Sequence, residues 1–188
     1  MSTSLRNYVK SLYAFDHVLR LTPDRALARK SPCAGWTGKD VAEHALGGVK
    51  MIHSFTNTGR PPRSSPKLGA DPLAQWAKLR DATIEALDQP GALQSIANDP
   101  FGPELGPVPI DTLIGFMGAD LVVHAWDLAR TAKVDDGLDP ALCKASLATW
   151  KSLPDEILRQ PSMFDAAIKP GKGADAQTRL LNFLGRAV

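Results

Sequence analysis

Cysteine is scarce in this chain of 188 residues: Cys33 and Cys143 stand far apart, without a Cys-x-x-Cys spacing. That scarcity argues against a disulfide scaffold and fits a reducing compartment. Charge of one sign is lacking as well. A net charge of +2 provides no concentrated basic field, so neither nucleic acid nor a membrane surface is expected as a partner. No unbroken apolar run approaches the roughly 20 residues that a membrane helix requires. The N-terminal MSTSLRNYVKSLYAFDHVL has no apolar stretch after its early charge, so no signal peptide is expected. The expected compartment is the cytoplasm. Period-two alternation is also missing over any length that makes a strand, and no internal repeat occurs.

What is present is helical periodicity in an otherwise ordinary globular composition, 44% hydrophobic and 22% charged. A chain this long buries roughly 70% of its unfolded surface and needs no staples. Leu5, Tyr8, Val9, Leu12, Phe15 and Leu19 recur at helical spacing and predict a first helix over about 5–21. Thr37 is a good N-cap, with Asp40 three residues on, and opens a second helix to about Phe55. In that helix Val41, Ala45, Ile52 and Phe55 face inward, and Gly47 and Gly48 admit a close neighbour. TNTGRPPRSSPKLGADP reads as a loop whose Pro72 starts a third helix to about Leu87. NDPFGPELGPVP is a second irregular stretch. The longest periodic run follows, over about 110–132. Asp139-Pro140 opens a fifth helix to about Leu153, and AQTRLLNFLG forms a last short one with Gly185 as its stop. The expected architecture is all-α, a single domain with a four-helix bundle over about 4–133 and a helical extension over about 138–188.

The chemistry-bearing residues concentrate in the fourth helix. GADLVVHAWDLAR places Asp120, His124 and Asp127 at i, i+4 and i+7, on one face, while Val122 and Val123 point to the core. A carboxylate and an imidazole one turn apart are a ready pair of ligands for a divalent ion, with a third ligand from a facing helix. His44 fits that role, sharing a helix edge with Val41 and Gly48. His53 lies about 180° round the same helix from His44, so the two cannot share a site. His17 and His53 read as surface or packing residues. Spacing alone favours an ordinary helix pair for Asp120 and His124, but a charged Asp120 within IGFMGADLVVHAWDLA needs a cation or a donor. Asp127 is a fourth ligand, an acceptor that orients a histidine, or a partner of Arg130, and a non-ligand role is the reading adopted. Trp36 and Trp126 are candidate pocket walls as well as candidate core residues. Arg60, Arg63 and Lys67 decorate the long loop, either drawing in an anion or simply solvated. Cys33, with no base or cation beside it in sequence, reads as a small buried residue.

SPCAGWTGKDVAEHALGG, ADLVVHAWDLART and AQTRLLNFLGR, in that order, resemble the DinB-like superfamily, in particular its actinobacterial branch of mycothiol-dependent maleylpyruvate isomerase N-terminal-type proteins. The resemblance covers nearly the whole chain. It implies a four-helix bundle with a long connection that breaks simple up-down order. It also implies a metal, usually zinc and sometimes nickel or iron, on His44, Asp120 and His124. The chain departs from the isomerase in carrying Asp120 where that enzyme has a longer Glu, and in the expected lack of most of that enzyme's C-terminal domain. The implied activity is a mycothiol-dependent transferase or isomerase acting on a small molecule, in which a metal-activated thiolate attacks an electrophile or adds to an activated double bond. Asp127 would then orient a ligand or accept a proton. A non-catalytic metal- or ligand-binding helical protein, with an exposed face for a homodimer, is the competing expectation. A metal-free interaction module would separate His44 from His124.

Overall fold

The computed structural model describes residues 1–102, 106–160 and 163–188. Most of the helices begin where a side chain accepts an otherwise orphaned backbone N–H. Ser2 caps α1 (Thr3–Leu21) by accepting from Leu5. Thr37 and Asp40 close the expected capping box at α2 (Gly38–Thr58). Asp71 caps α3 (Pro72–Leu87), and Asp139 caps α5 (Pro140–Lys151), both with proline in the first turn. α2 runs three residues beyond the expected end, because its stop is Gly59, whose φ of 66° is the left-handed conformation. α4 (Ile110–Ala132) is the longest helix. A four-residue helix α6 (Asp155–Leu158) and the short α7 (Ala176–Phe183) complete the set.

One feature departs from the all-helical reading. β1 (Ile96–Ala97) and β2 (Val108–Pro109) pair antiparallel, Ile96 opposite Pro109, and so bracket the second irregular stretch. Two residues per strand are too few for any alternation to register in sequence.

Helices α1 and α2 each pack on both α3 and α4, so α1 and α2 stand across the bundle from one another. The connection between them therefore runs over the end of the bundle and carries Cys33 and Trp36 with it. Leu12, Phe15, Val41, Leu46, Ile52, Trp76, Leu113, Ile114, Leu121 and Leu128 fill the space between these four helices. The other side of α4, with Val122, Val123 and Trp126, meets Leu142, Cys143 and Trp150 of α5, Leu158 of α6, and Leu180, Leu181 and Leu184 around α7. By length and composition α4 meets the test for a membrane span, although Asp120, His124 and Asp127 interrupt its apolar run. Buried inside the protein over 78% of its most apolar stretch, it is the core helix shared by the two apolar clusters.

Close packing depends on small residues at two crossings. A Cβ on Gly118 of α4 would sit 3.3 Å from Tyr8 Cα, and one on Gly48 of α2 would press on Met117 Cε. On α1, Asp16 accepts from Arg80 of α3, 2.5 Å away, and from Arg20 one turn along, 2.7 Å away. Arg80 also donates to Asp81 and lies over the Tyr13 ring.

Candidate metal centre

Three donors from two helices converge at one end of the bundle. His44 comes from the second turn of α2, and Asp120 and His124 lie one turn apart on α4. His44 Nε2 stands 3.1 Å from Asp120 Oδ2, and His124 Nε2 stands 3.4 Å from Asp120 Oδ1. One ligating atom from each residue can be chosen so that all lie within 4.8 Å of one another. The separation of His44 from His124 expected of a metal-free module is not what the structure has; the ring centroids are 4.7 Å apart.

The site is buried on one side and open on the other. The side chain of His124 is 5% exposed and that of Asp120 15%, while His44 keeps 41% of its side chain in solvent. Trp36, half-buried, roofs both histidines. Its ring stacks on His124 at 5.5 Å and 12°, and tilts over His44 at 4.9 Å and 57°. Trp126, the other candidate wall, lies two residues from His124 and so on the far side of α4, buried in the second apolar cluster with Arg130 over its ring. Arg130 itself pairs with Asp136.

Asp127 faces away from the opening and is wholly buried. His124 Nδ1 reaches its Oδ2 at 3.1 Å, while Arg186 donates through Nη2 to Oδ2 and through Nε to Oδ1. Both oxygens are thus engaged, which gives Asp127 the orienting geometry among the three roles open to it. Arg186 is the residue that the sequence left without a role. Its partner lies 59 positions earlier, and no local spacing links them.

With His124 neutral, charge in this pocket does not balance. Asp120 and Asp127 bring two negative charges, and Arg186 brings one positive charge. Burial raises the cost of a charged carboxylate at Asp120, but the charge and hydrogen bond of His124, then those of His44, outweigh it and hold the acid well below the usual range. Burial likewise opposes a charged His124, yet Asp120 and then Asp127 outweigh it and push that pKa up. A pocket that draws a proton onto a buried imidazole draws a cation. When a cation displaces that proton and Nδ1 keeps donating to Asp127, the lone pair of Nε2 faces Asp120 and His44. Two imidazoles and one carboxylate with an open side suit zinc, and nickel or iron equally in donor type.

Cys33 stands within reach of these charges. Burial pushes its thiol up to about 11; Arg186 lowers it, and Asp127 and Asp120 raise it further. It is a neutral thiol at pH 7. The long loop is tied down beside the site: Glu43 accepts from Lys67 at 2.7 Å and from the Leu68 N–H at 3.1 Å. Arg60 and Arg63 are exposed, as are His17 and, partly, His53.

A helical bundle with a His/Asp/His cluster at one end is the class that fold and site define. The chain belongs to the DinB-like family described as the mycothiol maleylpyruvate isomerase N-terminal domain, which it matches over residues 11–129. It is also 30% identical over 164 residues to two uncharacterized proteins of Mycobacterium tuberculosis, Rv0738 of strain ATCC 25618 / H37Rv and MT0763 of strain CDC 1551 / Oshkosh, with 86% of each chain covered. No solved structure matches the chain.

Proposed function

We propose that this protein binds one divalent metal ion, most simply zinc, through His44, Asp120 and His124, and uses it in a mycothiol-dependent transfer or isomerisation on a small electrophile. The observation that carries the reading is the convergence of the three donors within 4.8 Å, with the His44 side open to solvent. A divalent ion bound there supplies a Lewis acid that depresses the pKa of a thiol brought to it. The chain's own residues define the rest. Trp36 shields the buried imidazole from water, His44 marks the edge where a substrate enters, and Asp127 holds His124 in one orientation.

One observation favours a second reading, a metal-binding protein without turnover. Both Asp127 oxygens are engaged and Cys33 is a neutral thiol, so neither is a free base or nucleophile.

Two measurements test these readings in turn. Elemental analysis of purified protein should find about one ion per chain, falling to background in His44→Ala; equal content in both removes the site. The metal-loaded protein should then consume mycothiol with at least one of a panel of electrophiles, in a manner abolished by chelation. No consumption leaves the binding reading and ends the catalytic one.

A further inference from the structure

The buried end of the cluster is closed by a residue from outside the bundle. Arg186 follows α7, beyond the residues matched by the family. It is only 5% exposed, and its backbone is held on both sides: its N–H donates to Leu181 O at 2.8 Å, and its C=O accepts from Asn182 Nδ2 at 2.9 Å. Its guanidinium spends Nη1 on Leu184 O at 3.3 Å and lies 5.9 Å from the centre of the Phe164 ring. What remains, Nε and Nη2, reaches the two oxygens of Asp127 at 3.2 and 3.1 Å.

A carboxylate held by a single imidazole is free to turn about its Cβ–Cγ bond. The two-pronged contact fixes its plane, because a guanidinium presents parallel donors at the spacing of carboxylate oxygens. With the plane of Asp127 fixed, Oδ2 stays where His124 Nδ1 finds it, and Nε2 stays turned to Asp120 and His44.

We propose that Arg186 is a positioning residue for His124, so that the C-terminal segment completes the cluster carried by the bundle. Its consequence for metal binding rests on the function proposed above; its consequence for the His124 ring does not.

The test compares Arg186→Lys, which keeps the charge and loses the fork, with Arg80→Lys, which makes the same change at Asp16, away from the cluster. In metal-free protein, nitrogen-edited NMR should show a slowly exchanging His124 Nδ1–H signal in the wild type and in Arg80→Lys, and its loss in Arg186→Lys. Competition with a chelator should show zinc affinity weakened about 10- to 100-fold in Arg186→Lys and unchanged in Arg80→Lys. Circular dichroism checks that both variants keep their helices; if Arg186→Lys does not, Asp127→Asn, which can still accept from His124 but breaks the ionic fork, takes its place with the same expectations. A retained Nδ1–H signal, or zinc affinity equal to that of the wild type, overturns the proposal. If the wild type takes up no zinc, the proposed function falls, and the His124 signal still decides whether Arg186 positions the ring.

Discussion

Asp16 on α1 and Asp127 on α4 are both buried carboxylates held by an arginine distant in sequence, Arg80 at 64 residues and Arg186 at 59. Their remaining partners separate them. Around Asp16, Arg20 and Arg80 face Asp16 and Asp81, so the charges balance and the cluster closes on itself. It ties α1 to α3 and has nothing left to offer a ligand. Around Asp127 the other partner is His124, whose second nitrogen faces Asp120, and with that imidazole neutral the local sum is one net negative charge. A balanced buried network is a staple, whereas an unbalanced one is a demand for a cation. The difference lies in the side chain one turn away on each helix: Arg20, four residues past Asp16, supplies a charge, while His124, three residues before Asp127, supplies a ligand.

The sharpest way to break that comparison is to remove each aspartate. Asp127→Ala leaves the buried Arg186 guanidinium without its carboxylate and should cost about 3–5 kcal/mol in urea unfolding, and Asp16→Ala, after which Arg80 keeps Asp81, should cost less. Zinc affinity should survive in Asp16→Ala and collapse in Asp127→Ala, and equal affinities would erase the distinction. A smaller effect is expected at the roof of the cluster. Thr37→Ala removes the cap that starts α2 next to Trp36, and should cost about 1 kcal/mol in thermal or urea unfolding; a change below the measurement error would mean that Asp40 and the tertiary contacts hold that turn alone. The smallest effect belongs to an exposed charge. Lys67→Ala should shift stability by less than about 0.5 kcal/mol, since its side chain is 81% exposed and Glu43 keeps the Leu68 N–H. A larger loss would show that this surface pair behaves like the buried ones.

Much of the fold was legible because capping is local. Thr37 with Asp40, Asp71 before Pro72 and Asp139 before Pro140 each mark a helix start that the structure has. Ends were less legible: α2 continues to Gly59 because only there does the chain adopt a left-handed turn. The β1–β2 pair and α6 are too short to leave a periodic trace. Within the cluster, Asp120 and His124 were legible as an i, i+4 pair and His44 as the histidine on the matching edge of α2. Trp36 and Trp126 read alike in sequence, and only the packing of α4 against α5 and α7 separates them, drawing Trp126 into the second apolar cluster. Arg186 ends one of the segments that carry the resemblance, but its role left no trace, since an arginine after a short helix looks solvated until its carboxylate is known.

By itself, then, the sequence determined where helices begin, which face each one buries, and which residues of α4 stand one turn apart, because caps and side-chain neighbours on a helix act within a turn or so of the backbone. Tertiary structure decided the rest. It brought His44 to Asp120 across 76 residues, laid Trp36 over two imidazoles through the connection that crosses the bundle, and set Arg186 against Asp127. Those contacts follow from packing α4 on both its faces, and from the cost of leaving a buried carboxylate unpaired.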